Sequence, residues 1–252
     1  MRVGLFLLMV VVALGAKAQI FNFEKLRPNI DTSHVWKASF AAGFDMRKKT
    51  TQTVNVTAQA GAYYLSEKHS YIIMGDYGIT RVDQNNIFEQ GYLHYRTVLN
   101  RKSKIAYEPF IQLQYDLGKG LKRRHLVGGN VRINFYNDTT VTLSMGSGFF
   151  YENENWIATE TSTLLNENLK SNNYVSVKWK INSWSSFLMT GYYQAPVHRF
   201  LTPRLIMDSN IQMNFTKNFT YDIRVETNVD RNPVVESGRL TYRVVTGFRY
   251  SF

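Results

Sequence analysis

The chain contains no cysteine. Neither a disulfide framework nor a thiolate metal site is open to it, although a periplasmic or surface protein could have used disulfides. Beyond residue 18 there is no long apolar run, which excludes a membrane-spanning helix from the rest of the chain. Histidine is sparse, and no two histidines or carboxylates recur at a ligand spacing, so no metal or other cofactor is indicated. The formal net charge is +11, yet the basic residues are scattered, with no helix or known motif to present them to nucleic acid.

What the chain has in abundance is alternation. Across residues 240–252, Leu240, Tyr242, Val244, Thr246, Phe248, Tyr250 and Phe252 fall on one side, and Thr241, Arg243, Val245, Gly247, Arg249 and Ser251 on the other. Successive side chains of a strand point to opposite faces, so this is an apolar, aromatic-ended face backed by a polar one. A soluble strand of that composition would leave an aggregation-prone edge. A closed barrel in a membrane has no edge, and its lipid face has this pattern. Phe252 after alternating aromatics is similar to the signal that bacterial outer-membrane proteins present to the barrel-assembly machinery. Aromatics make up 14% of the chain, which suits interfacial girdles, and the mean hydropathy of −0.28 fits strands in which every second residue faces lipid.

Residues 1–18 combine Arg2, an apolar core over 3–14 and Ala16-Lys17-Ala18 before Gln19, the form of a Sec signal peptide. Residues 19–33 are polar, carry Pro28 and read as a periplasmic lead-in, leaving 34–252 as the barrel. Alternation predicts strands over 36–45, 54–64, 71–80, 88–99, 105–116, 125–135, 141–152, 174–181, 187–194, 204–215, 219–230 and 240–252. The third is the least regular, because both of its faces carry apolar residues. Pro109, which has no N–H for the ladder, is expected at a bulge. With both termini periplasmic, the turns near Glu67, Lys102, Asp138, Asn182 and Lys217 lie on the inner side. The connections near Lys48, Asp83, Lys119, Arg199 and Pro233 lie outside, together with a long loop over 154–172. The expectation is an all-β fold: a transmembrane antiparallel β-barrel of about twelve strands in the outer membrane of a Gram-negative bacterium.

Several segments resemble the salt-induced outer-membrane protein family (domain of unknown function 481), particularly its Bacteroidetes-type members. They are Gln19-Ile20-Phe21-Asn22-Phe23-Glu24 with Arg27; Gly91-Tyr92-Leu93-His94-Tyr95-Arg96; Glu108-Pro109-Phe110-Ile111-Gln112-Leu113-Gln114-Tyr115; and Arg124, Leu126, Gly128 and Gly129 leading to Arg132. Tyr151-Glu152 with Trp156, Asn173-Tyr174, and Tyr192-Tyr193-Gln194 before Pro196 complete the set. The resemblance implies an outer-membrane barrel and supplies no reaction or ligand. Asn130 stands where a further glycine or small residue is expected.

The polar strand faces carry ten basic residues, among them Lys37, Arg96, Arg124, Arg132, Lys178, Arg204, Arg224, Arg243 and Arg249. Nine acidic residues accompany them, among them Asp76, Glu108, Glu152, Asp208 and Glu226. In a narrow interior such balance points to salt bridging, because an unpaired buried ion costs several kcal/mol. The alternative is a ladder guiding acidic oligosaccharides or other anions, which calls for a surplus of one sign. Removing Arg2 and Lys17 leaves +9 of the +11, mostly for the rims. There Arg47, Lys48, Lys49, Lys119, Lys122, Arg123 and Arg199 can bridge the phosphates of lipopolysaccharide.

Catalysis is not expected. A surface hydrolase needs nucleophile, base and orienting group on one wall. His94 lies on a polar face without an adjacent serine, and His69-Ser70 falls in a turn. Trp36, Trp179 and Trp184 cluster near the periplasmic strand ends, where an interfacial belt places them. Trp156, in the expected long loop, is the candidate external contact. The leading reading is a non-enzymatic envelope barrel, either structural or a narrow passage for small solutes. An anion channel comes second and a surface hydrolase third.

Overall fold

The computed structural model describes residues 34–250 apart from 49, 84, 160–161, 217–218 and 235–238. The expected leader (1–18) and lead-in (19–33), Lys49 and Phe252 lie outside the described residues. Among the described residues, twelve strands form one antiparallel sheet in which each strand pairs with its neighbours in sequence. They are β1 (Val35–Lys48), β2 (Gln52–Leu65), β3 (Ser70–Val82), β4 (Asn85–Val98), β5 (Ile105–Asp116), β6 (Leu121–Asn137), β7 (Val141–Ile157), β8 (Thr163–Lys180), β9 (Ser185–Pro196), β10 (Arg204–Asn214), β11 (Phe219–Asp230) and β12 (Leu240–Tyr250). Short 3-10 turns at Leu117–Lys119 and Val197–Arg199 are the only helical pieces among the described residues. No pairing joins β12 to β1 among the described residues. The sheet nevertheless curls on itself, because Asp76 of β3 lies within electrostatic reach of Arg224 and Glu226 of β11 and Arg243 of β12.

The alternation read from the sequence is the inside and outside of this curled sheet. Along β5 every even position is buried and almost every odd one is exposed, so Glu108, Phe110, Gln112 and Gln114 face in while Tyr107, Ile111 and Leu113 face out. The exposed outer belt continues with Leu93, Val127, Phe149, Val175, Met207, Tyr242 and Val244. An apolar band of that extent is what a lipid-facing surface requires, and it is far larger than the patches soluble monomers expose.

The ambiguity of β3 has a packing cause. Its inward Ile72 and Met74 join Tyr63, Leu65 and Tyr92 in an apolar cluster inside the sheet, so both faces of the strand carry hydrophobic residues. A second inner cluster joins Phe110, Leu126 and Phe150, and a third joins Tyr174, Tyr192 and Ile206.

Three expectations are corrected. The strands β7 and β8 run on through the stretch read as a long loop, pairing from Val141↔Trp179 up to Ile157↔Thr163. Only 158–162 connects them. The alternation there was hidden because asparagines occupy both faces (Asn153, Asn155, Asn166, Asn168). Lys122 and Arg123 belong to β6, and Arg47 and Lys48 to β1, rather than to loops. Pro109 sits at no bulge: it pairs with Gly129 of β6 in unbroken register. The β4–β5 ladder lapses beyond Arg96↔Phe110 and resumes at Leu99↔Tyr107 without a shift. A missing N–H interrupts a ladder but need not add a residue to it.

Candidate functional site

The interior is built around two sets of paired charges at different heights. The lower set centres on Glu108, near the rim where β1 begins and β12 ends. Its side chain is inaccessible (residue exposure 1%). Arg132 Nη1 of β6 donates to its Oε1 at 2.9 Å, and Arg96 Nη1 of β4 stands 3.4 Å from its Oε2. The Tyr174 hydroxyl of β8 donates to Oε2 at 2.5 Å. Arg132 also donates to Ser144 Oγ at 2.7 Å and Asn134 Oδ1 at 3.1 Å, so its fork is held on three strands. Tyr174 reaches Glu108 because its ring lies over Gly146, its cross-strand partner. A Cβ at Gly146 would come within 2.1 Å of Tyr174 Cε1.

The upper set, toward the other rim, centres on Glu152 and Glu154 of β7, each 0% exposed. Arg124 Nε of β6 donates to Glu152 Oε1 at 2.7 Å and lies 3.2 Å from Glu154 Oε1. Lys170 of β8 pairs with Glu152. Arg204 of β10 reaches Glu152 at 3.5 Å, Glu154 at 3.9 Å and Asp230 of β11 at 2.9 Å. Trp156 is buried here, donating its indole N–H to Glu154 Oε2 at 3.1 Å, with the Asn166 amide on the same oxygen at 2.7 Å. It is therefore an internal hydrogen-bond donor and not an external contact. Beside this set, Arg224 of β11 pairs with Asp208 of β10 at 2.7 Å and with Glu226 at 2.6 Å.

Between the two sets runs a ladder of amides. Gln194 Nε2 of β9 donates to Asn172 Oδ1 of β8 at 3.0 Å, and Asn172 Nδ2 donates to Asn130 Oδ1 of β6 at 3.1 Å. The departure at Asn130 from the expected small residue thus supplies the ladder's end. His94 is buried, donates its Nδ1–H to Gln112 Oε1 at 3.0 Å, and stacks between Tyr92 and Phe110. Those contacts make it a wall residue. Among the described residues, no group of three or more His, Asp or Glu is placed to hold a metal ion.

Of the lumen residues singled out from the sequence, the structure brings Arg96, Glu108 and Arg132 together in one set and Arg224 with Glu226 in another. Arg243 stands opposite Glu226 in register. Lys178 is half-buried on β8, opposite Thr142 and Leu188. Lys170, Glu154 and Trp156 are interior residues, placed inside by the pairing of β7 with β8 through the stretch expected as a loop. Of the rim residues, Arg47 is exposed and lies 3.7 Å from Asp45. Lys119 pairs with Asp116 at 3.6 Å, and burial pushes its ammonium below the usual lysine value while Asp116 opposes that shift. Lys48, Lys122 and Arg123 are exposed. The side chains of Lys37 and Arg249 lie outside the described residues.

A family model with the description "Protein of unknown function, DUF481" matches residues 40–252. No curated protein matches the chain. Among solved structures, a NanC porin is 9% identical, with 84% of this chain and 99% of that chain covered and a TM-score of 0.48. The translocator domain of the autotransporter NalP from Neisseria meningitidis is 8% identical, with 86% and 87% covered and a TM-score of 0.46. The beta domain of the Bordetella autotransporter BrkA is 10% identical, with 86% and 98% covered and a TM-score of 0.35.

Proposed function

The chain belongs to this DUF481 family of proteins of unknown function, and from that premise we propose that it is a non-enzymatic β-barrel of a Gram-negative outer membrane, structural in role, with a lumen closed by its own paired charges. The support for membrane residence is the exposed apolar belt backed by an inner polar face. Strands of 11 to 18 residues are also long enough for a tilted crossing, which takes roughly 9–11. The observation that carries the closed lumen is the burial of Glu108, Glu152 and Glu154 among arginines and a lysine from the strands around them. Cations so engaged face carboxylates rather than a passing anion. The signal peptide over 1–18 and the assembly role of Phe252 are parts of the same proposal. So is the approach of Arg47, Lys48, Lys49, Lys119, Lys122 and Arg123 to lipopolysaccharide.

A second reading, a narrow passage for small solutes, draws on one observation. Thr57 and Gln59 of β2 occupy inward positions yet are exposed, unlike the inward residues of β5 and those of β8 from Lys170 to Ser176. Single-channel conductance of the refolded mature chain in planar bilayers tests both. Silence from a barrel with heat-shifted gel mobility supports the structural reading, and small steps with little ion preference support the passage. Steady anion-selective steps would refute the closed lumen and move the function to anion uptake. Lipid turnover that disappears in His94→Ala would refute the non-enzymatic reading.

A further inference from the structure

The connection between β9 and β10 does not project from the rim. Tyr193 points outward, since its neighbours Tyr192 and Gln194 make the inward contacts described above. Its hydroxyl donates to the carbonyl oxygen of Phe200, and the two rings lie 5.1 Å apart. The segment 197–203 is therefore folded down over the outside of the wall. Two outward positions beneath it agree. Ala195 is 0% and Ser171 6% exposed, where open belt positions would be bare, and the Ser171 hydroxyl donates to the Ala195 carbonyl at 3.3 Å.

The fold-down displays Val197, Phe200 and Leu201 on the outer face. Leu201, at 82%, is the most exposed large apolar side chain among the described residues. Leu165 and Leu169 of β8 stand exposed on the same face, so the apolar belt rises higher here than on β6, where Arg123 and His125 occupy the upper outward positions. Within the loop Arg199 donates its Nε–H to His198 Nε2 at 3.1 Å, leaving the rest of the guanidinium exposed. No acidic residue occurs between Lys170 and Asp208, and Glu167, the nearest carboxylate on the outer face of β8, is bonded by the Asn153 amide. Apolar side chains flanking a cationic one, continuous with a lipid-facing band, are the composition of an interfacial anchor.

We infer that the 197–203 segment is an outer-leaflet anchor: Phe200 and Leu201 enter the headgroup–acyl boundary, and Arg199 engages anionic lipid phosphates. This rests on the membrane-barrel reading above. A second copy of the chain fits less well. β8, β9 and β10 are each paired on both sides within the sheet, so no strand edge here is open for a second copy to extend.

The absence of cysteine permits a clean test. Leu201→Cys, Val131→Cys (belt) and Thr159→Cys (β7–β8 turn) are each labelled with a nitroxide in the mature chain. The chains are refolded into phosphatidylcholine vesicles with or without phosphatidylglycerol and checked by heat-shifted mobility. Relaxation by oxygen is then compared with relaxation by a water-soluble nickel complex. The expected result is oxygen-dominated relaxation at 131 and at 201, nickel-dominated relaxation at 159, and a deeper reading at 201 with phosphatidylglycerol that is lost on adding Arg199→Ala. A nickel-dominated label at 201 beside an oxygen-dominated one at 131 overturns the anchor alone. A label at 201 shielded from both reagents indicates a protein partner and also overturns it. Nickel-dominated relaxation at 131 removes the membrane barrel itself.

Discussion

Glu108→Gln isolates the lower charge set. The amide keeps the side-chain volume and one acceptor oxygen but removes the charge facing Arg96 at 3.4 Å and Arg132 at 2.9 Å. Deleting one partner of a buried ion pair costs about 3–5 kcal/mol, because the remaining charge stays buried without compensation. Arg132 keeps its bonds to Ser144 and Asn134 and the amide oxygen still accepts, so the lower end, about 3 kcal/mol, is expected. That is roughly a hundredfold in the folding equilibrium. The assay is urea unfolding of the chain refolded in vesicles, followed by tryptophan emission and by heat-shifted mobility. Glu108→Leu combined with Arg132→Met should be less destabilised than the two single changes summed, with a coupling of about 0.5–3 kcal/mol. A loss below about 1 kcal/mol, the scale of an exposed pair, together with a new anion-selective current, would refute the closed ion-paired lumen.

Gly146→Ala should lower the unfolding midpoint by the equivalent of about 1–3 kcal/mol, since its methyl group meets the Tyr174 ring. Gly191→Ala, with nothing within 4 Å of the added carbon, should stay within about 0.5 kcal/mol. Trp156→Phe removes the donor to buried Glu154 and should cost about 1.5–3 kcal/mol by the same unfolding assay, where a mobile-loop tryptophan would cost nothing. In the β6–β7 turn, the Tyr136 hydroxyl and then the amides of Val141 and Thr140 hold Asp138 below the usual carboxylate range. A depressed folded value means that the turn's stabilisation is complete above the ordinary aspartate value, about 3.9, and is lost as pH falls through the lower folded one. Amide exchange at Thr140 and Val141 should therefore accelerate only at that acid limit, and Asp138→Asn should abolish the transition.

The strand count, the antiparallel order and the division into outer and inner faces were legible because a period of two is a local property, visible in residues such as Leu240, Tyr242 and Val244 against Thr241 and Arg243. Glu108, Arg132, Arg224 and Glu226 could be placed inside for the same reason. The reading failed where both faces are polar, as across Asn153, Asn155, Asn166 and Asn168. There alternation carries no contrast, and only the pairing of β7 with β8 distinguishes strand from loop.

Which charges meet was beyond the reach of any local pattern. Glu108 and Tyr174 are 66 residues apart and touch because the sheet curls and Gly146 leaves room for a ring. Lys170, Arg204 and Asp230 converge near Glu152 and Glu154 because register and curvature bring four strands to one height. The outward fold of 197–203 likewise depends on Tyr193 reaching the Phe200 carbonyl. Side-chain direction follows from the neighbouring residue in sequence, whereas partnership across an interior follows from the curl of the whole sheet, to which every strand contributes.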